Sequence, residues 1–443
     1  MYNIERLIKG DYMKEYQKNF LLLSAGRIVS LIGSGIQALA LSLYILDLTG
    51  SGTMMGTFLV VTLLPKVLFG PFGGILGDRF NRKNIMVLMD FGRGAVIFLL
   101  AYVAFNGTLA LSMIYISQIF ISVMDVVFDP STNAMLPDIV PEEKLTKSNS
   151  VLGALNALSY IIGPALGGIL YPLGIKVVFI INASSFVISA VSEMFIKYSQ
   201  TTEKKKMSTR QIFGDLKDGI TFFKNNKNIL KILLFAMTTN FIFNPVLTVV
   251  LPFFARETVG FSSFQYGLME SSWVVGVLIG NIVIAIFLTQ KSGGKLFKMG
   301  LIFEMILFGV FSLVIFPYFV QLFGGASWLY LGVISGIFII VGFSNSFVNT
   351  PLNVFFQKAA PTEIRSRVLS VIAVLSQLIV PLGTAIYGFL LDSFSPHLLT
   401  VVSFSIGMVV IVVFLAKGLF KTMDEKVNVK AGPENLQETE AET

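Results

Sequence analysis

GILGDRFNRK, from Gly74 to Lys83, is a charged stretch that closes one apolar run, residues 54–76, and leads into another, residues 85–105. Each run matches the ~20 residues that a helix needs to cross the ~30 Å hydrocarbon core of a bilayer. Arg79, Arg82 and Lys83 between two such runs predict a short loop on the cytoplasmic side, where basic residues collect. Further apolar runs fall at 20–46, 109–132, 149–170, 176–196, 229–254, 264–288, 299–319, 327–349, 366–390 and 397–416, each bounded by Gly, Pro, Asn or charge. The chain is therefore expected to be an all-α polytopic membrane protein with twelve transmembrane helices.

Composition agrees with this reading. Of 443 residues, 54% are hydrophobic and 13% charged, about half the charge of a soluble domain, which excludes a water-soluble enzyme. With no cysteine and a single histidine, His397, the chain lacks the parts for disulfides, thiolate metal sites and histidine-based triads. No Gly-x-x-x-x-Gly-Lys-Ser/Thr loop is present, since Gly294-Lys295 is followed by Leu296, so an ATP-driven pump is disfavoured. No enzymatic activity, cofactor or metal is expected.

The formal net charge of +7 is explained by topology rather than by a nucleic-acid partner. If the N-terminus is cytoplasmic, Lys176 and Arg256 are the basic residues of the outer loops, and Arg27, Lys66 and Arg93 lie inside spans. The remaining Lys and Arg then fall on the inner side, which places both termini in the cytoplasm of a bacterial cell membrane. Residues 1–19 are polar and the first apolar run is long enough to span, so no cleavable signal is expected.

The expected organisation is a cytoplasmic N-terminal segment (1–19), a six-helix bundle (20–196), a cytoplasmic linker (197–228), a second six-helix bundle (229–416) and a disordered acidic tail (417–443). Within the linker, Ile212, Phe213, Leu216, Ile220 and Phe223 recur at helical spacing among Arg210, Lys217 and Lys224, predicting an amphipathic helix at the cytoplasmic interface. NAMLPDIVPEE (Asn133–Glu143) and NVFFQKAAPTE (Asn353–Glu363) place Asn, Pro and Glu at an offset of 220, a weak repeat of the kind found in transporters built from two bundles.

In Gly74–Lys83, Gly74 permits close helix approach, Asp78 can accept from backbone or guanidinium donors, and Arg79, Arg82 and Lys83 suit the anionic leaflet. The stretch resembles the Gly-x-x-x-Asp-Arg-x-Gly-Arg-Arg loop of the major facilitator superfamily. Asn81 stands where that pattern prefers glycine and Lys83 replaces the last arginine; because Asn tolerates the left-handed conformation, the turn is expected to be kept. By resemblance, Gly74, Asp78, Arg79, Arg82 and Lys83 form an inside latch between two bundles. SYIIGPALGG (Ser159–Gly168) resembles the antiporter motif of drug exporters at Ser159, Gly163, Pro164, Gly167 and Gly168, although small residues here equally suit a helix-packing seam. With PDIVPEEKLTKSNS, DLKDGITFF and PTEIRSRVLSV, the chain resembles the bacterial macrolide-efflux and siderophore-exporter branch of drug/proton antiporters. It departs from many of them in having no arginine in the fourth span, so their proton-coupling scheme does not transfer unchanged.

Ionisable residues inside spans are costly and therefore functional candidates. Asp125 and Asp129 share a helix face at i and i+4, where two ionised carboxylates repel and a proton on one is favoured. These two and Glu270 are the proton-coupling candidates. Arg27 and Lys66 need partners, which Asp125 or Glu270 could supply. Asp90 and Arg93 form an i, i+3 pair, while Glu193 and Glu304 read as interfacial. Ser30, Ser34 and Gln37, Asn240 and Asn244, and Asn345, Asn349 and Asn353 with Gln377 mark polar stripes that either line a substrate cavity or bond between helices. The reading that results is a secondary active exporter of amphipathic or lipophilic small molecules, working as a monomer by proton antiport and alternating access. A lipid or lysolipid flippase of the same fold is the alternative, and a membrane receptor or enzyme fits less well.

Overall fold

The structure, a computed structural model, describes residues 2–198, 209–288, 290–362 and 364–424. Among them twelve helices are long and apolar enough to cross a membrane, with mean hydropathy over their best windows between 1.4 and 2.8. They are α1 (Tyr2–Thr49), α2 (Gly52–Arg79), α3 (Arg82–Phe105), α4 (Leu111–Ile139), α5 (Glu142–Leu170) and α6 (Ile175–Met194). After the linker come α7 (Lys227–Val259), α8 (Ser263–Phe287), α9 (Gly293–Val314), α10 (Trp328–Ala359), α11 (Arg365–Leu391) and α12 (Pro396–Ala416). No strand occurs among the described residues, as hydrocarbon demands that a helix satisfy its own backbone. The protein is a multi-pass membrane protein.

Helix ends follow local chemistry. α1 begins at Tyr2 and takes in the polar segment, while α2 runs helically through Gly74 and Asp78 to Arg79. Asn81 is not left-handed: at φ −65° and ψ 118° it is the N-cap of α3, its side chain accepting from the Asn84 N–H. The capping bond favours extended backbone there, which corrects the expected turn. α4 and α10 both end in an extended residue, Val140 and Ala360, directly before Pro141 and Pro361. Proline disfavours helical backbone in the residue before it, which gives the repeat a structural basis. In α7, Pro245 and Pro252 accompany two π-helical stretches, Val246–Val250 and Phe254–Val259.

The helices gather into two compact units. The first holds α1, α3–α6, α2 from Val61 onward, and residues Phe261–Ser271 of the α8 region. The second holds Gly50–Val60, the linker helix, α7, and the chain from Ser272 onward. The division passes through α2 and α8 because glycine contacts bind their two ends to different neighbours. A Cβ on Gly56 of α2 would come within 3.1 Å of Gly388 Cα of α11, and one on Gly267 of α8 would meet Pro164 O of α5 at 2.5 Å.

The linker helix, Thr209–Asn225, docks within the second unit. Phe222 and Phe223 are buried against Phe356, Val368 and Val371, and Asp215 and Asp218 each pair with Arg367 at 2.7 Å. Ile220, expected on the apolar face, is exposed, and Phe222 takes its place. Ile212 and Phe213 lie outside the residues whose side chains are described. The tail expected to be disordered from residue 417 stays folded as far as Asp424. Leu419, Phe420 and Met423 pack on the aromatic core of Phe235, Phe297 and Phe414, and Asp424 accepts from the Gly294 N–H at 2.8 Å. Residues 425–443 lie outside the described part.

Candidate functional site

Each unit contains a polar cavity of its own. That of the first unit encloses about 530 Å³ and is lined by Arg27, Lys66, Arg93, Asp125, Asp129 and Glu270, with Ser30 and Ser34 among the neutral groups. α4 presents Asp125 and Asp129 on one face, as their spacing predicts. Lys66 Nζ of α2 lies 2.8 Å from Asp125 Oδ2, and Arg93 Nη1 of α3 donates to Asp125 Oδ1 at 2.8 Å. Arg93 also pairs with Asp90 one turn away, and its guanidinium lies over the rings of Phe128 at 4.1 Å and Phe186 at 4.5 Å. The expected local pair therefore extends into a chain, Asp90–Arg93–Asp125–Lys66, across three helices.

Arg27 does not bond to Asp125 or Glu270; its Nε donates to Asn156 Oδ1 of α5 at 3.1 Å. Asn156 and Phe186 are partners that periodicity did not single out for this site, because each belongs to a different helix from the arginine it serves. Gln37 is 5% exposed and accepts from Asn182 of α6 at 2.8 Å, so its role is an interhelical bond rather than the expected cavity lining.

The second unit's cavity, about 270 Å³, is lined by Asn240, Asn244, Glu304, Asn345, Asn349 and Trp273, with phenylalanines around them. Glu304 accepts from Asn345 Nδ2 at 2.9 Å, and Asn349 donates to Asn345 Oδ1 at 2.7 Å. Of the asparagine row expected at the end of α10, Asn345 and Asn349 face the cavity, joined there by Glu304, expected at the interface, while Asn353 is exposed outside it. Gln377 is exposed on α11. A carboxylate and amides in an aromatic wall can bind a molecule with both apolar and polar or cationic parts.

Where α2 turns into α3, Arg82 donates to Ala134 O at 3.0 Å and to Asp138 at 2.8 Å, and Lys83 Nζ donates to Met194 O at 2.7 Å. Tyr198 also donates to Asp138, at 2.7 Å; burial first, then the bond and charge of Asp138, push its phenol pKa up, so it remains a donor. The side chains of Asp78 and Arg79 and the packing of Gly74 lie outside what the structure describes. Close approach of α2 to α4 is made by Gly73, against Val126.

The Ser159–Gly168 stretch is a packing seam. A Cβ on Gly163 would meet Gly35 Cα of α1 at 2.9 Å, one on Gly167 would meet Ile36 O at 3.0 Å, and one on Gly168 would meet Phe264 Cα at 2.9 Å. Ser159 donates within its own helix to Leu155 O, and Pro164 lines the cavity. Among the described residues no group of three or more His, Asp or Glu gathers to hold a metal.

Residues 23–384 match the family model described as Major Facilitator Superfamily. The chain is 26% identical over 384 residues to macrolide efflux protein A of Streptococcus pyogenes, covering 85% of this chain and 90% of that protein. It is 25% identical over 291 residues to multidrug resistance protein 2 of Bacillus subtilis, covering 65% and 69%. Among solved structures, the nucleoside transporter NupG superposes with a TM-score of 0.72 at 14% identity, over 91% of this chain and 99% of that one. An inward-facing bacterial homologue of the iron transporter ferroportin gives 0.69 at 16%, over 91% and 98%. At these identities the structures share the fold alone.

Proposed function

The chain belongs to the Major Facilitator Superfamily, and we propose that this transporter exports amphipathic or lipophilic small molecules from the cytoplasm in exchange for protons. The observation that carries the proposal is the cavity in the first unit, where Asp125 is held between Lys66 and Arg93 and shares its helix face with Asp129. A carboxylate with two cations is a device whose protonation changes the local charge by one and frees both partners, as an intramembrane coupling residue must.

The aromatic and amide cavity of the second unit supports an amphipathic substrate, and relatives named for macrolide and multidrug resistance support export. In this reading the protein works as a monomer in the bacterial cytoplasmic membrane with both termini inside. Substrate and protons alternate in access to the two sides, and the Gly74–Lys83 region latches the inner ends.

The test uses the purified protein in liposomes with an imposed pH gradient and a panel of macrolides, lipophilic cations, siderophores and lysolipids, following internal pH and compound movement together. Proton flux that depends on one amphipathic class supports the reading. Movement of lysolipid indifferent to the pH gradient would replace it with a flippase.

A further inference from the structure

Behind Arg93, away from its contact with Asp125, lies a group of buried oxygens that the cavity does not use. Asp90 of α3 is 0% exposed, and Ser189 and Glu193 of α6 are 0% and 1% exposed. Asp90 Oδ2, Ser189 Oγ and Glu193 Oε2 each have no hydrogen-bond partner. Ser189 stands beside both carboxyl groups without completing a well-formed bond to either, and the carboxyls lie within electrostatic range of each other.

Glycines close the surroundings. A Cβ on Gly26 of α1 would sit 3.0 Å from Ser189 Oγ, and one on Gly94 of α3 would lie 3.4 Å from Ala183 O of α6. Such an enclosure leaves a charged carboxylate no bulk water, and an uncompensated buried charge neutralises rather than persists.

Counting charges shows which group lacks compensation. Asp90 has Arg93, and Asp125 has Arg93 and Lys66. Arg27 of α1 faces the field of Asp129 from its bond to Asn156. Lys83, at the start of α3, donates to the backbone of Met194 beside Glu193. The three cations Lys66, Arg93 and Arg27 thus stand closest to Asp125, Asp90 and Asp129, while Glu193 makes no ion pair among the described residues and feels Arg93 and Arg27 only through their field.

We infer that Asp90, Ser189 and Glu193 form a buried proton-binding site in which one proton is held between the two carboxyls, resident chiefly on Glu193 and bridged by the Ser189 hydroxyl. A hydroxyl can donate to one carboxylate oxygen and accept from a protonated one, so a proton on Glu193 completes all three orphan oxygens at once. Because Arg93 bonds to both Asp90 and Asp125, loss of this proton would strengthen its pull toward Asp90 and weaken its hold on the cavity carboxylate. The site is distinct from Asp125, and it does not require that transport be proton-coupled.

The test is infrared spectroscopy of the purified full-length protein in lipid, which reads the C=O stretch of protonated carboxyls whatever the transport activity. At near-neutral pH the wild type should show a protonated-carboxyl band that E193Q lacks and S189A shifts in frequency. Equal bands in wild type and E193Q over roughly pH 5–9, a range that brackets an ordinary glutamate's completed ionisation, would overturn the inference. If E193Q fails to insert, S189A carries the test, and an unshifted band would overturn it. A wild-type band that disappears when sodium replaces potassium would also overturn it, in favour of a sodium site.

Discussion

Lys66 Nζ of α2 lies 2.8 Å from Asp125 Oδ2 of α4. Arg93 takes the other oxygen of the same carboxylate, so the three side chains are one electrostatic unit and substitutions in it should be non-additive. Asp125→Asn leaves two cations facing a neutral amide, and Lys66→Met leaves Asp125 to Arg93 alone. The expected outcome is that the double variant K66M/D125N is more stable than the sum of the single losses predicts, by at least ~1 kcal/mol. Thermal unfolding of the four proteins in detergent checks this, and strict additivity would remove the pair as a coupled element.

Asp392, directly after α11, accepts from the Ser51 hydroxyl at 3.0 Å and from the Gly52 N–H at 2.6 Å, capping the start of α2. Its slight burial opposes ionisation, but the bonds from Thr53, Ser51 and Gly52 outweigh it and hold its pKa below the ordinary carboxyl value. A depressed folded-state pKa gives stability that is present above the unfolded pKa, near 4, and is lost as pH falls through the folded value. Wild type should therefore exceed Asp392→Asn by roughly 0.5–1 kcal/mol at neutral pH, a modest figure because the group is mostly solvated. The difference should vanish in acid below the folded pKa. A difference unchanged from neutral to strongly acidic pH would contradict the cap.

Gly163 and Gly153 sit on the same helix but in opposite circumstances. Gly163 meets Gly35 of α1 backbone to backbone, whereas a Cβ on Gly153 has nothing within 4 Å. Gly163→Val should lower stability by about 1–3 kcal/mol through overpacking, and Gly153→Ala should be neutral. Yield of monodisperse protein and its unfolding temperature distinguish the two.

The tail divides at Asp424. Truncation after this residue is expected to leave transport and stability intact. Truncation after residue 417 removes Phe420, Met423 and the Asp424 cap on α9, and should lower the unfolding temperature measurably. Equal stability of the two truncations would contradict the docking of residues 419–424.

The twelve spans were legible because hydrocarbon thickness imposes a length that any apolar run either meets or misses. The shared face of Asp125 and Asp129 was legible for the same reason, being a matter of helical period alone. The partner of Lys66 was narrowed to Asp125 or Glu270 but not decided, since 59 positions separate it from Asp125 and only helix packing joins them. Glu193 and Glu304 looked interfacial from their nearness to helix ends. Both lie within packed elements, Glu193 against α3 and Glu304 beside Asn345 of α10, contacts that no single-helix period encodes. Asn81 was read through its tolerance of left-handed backbone, whereas the capping bond to Asn84 decided its conformation.

The central claim is that Asp125 couples protons to export, and the most direct measurement compares wild type with Asp125→Asn in liposomes at equal inserted protein. Each is given a pH gradient and a substrate from the responsive class, and uphill accumulation and substrate exchange at equal concentrations are measured. The account predicts that D125N loses uphill accumulation by tenfold or more, about 1.4 kcal/mol of driving free energy or greater, while exchange persists. Undiminished pH-driven accumulation by D125N would contradict it and return Asp125 to a purely structural role between Lys66 and Arg93.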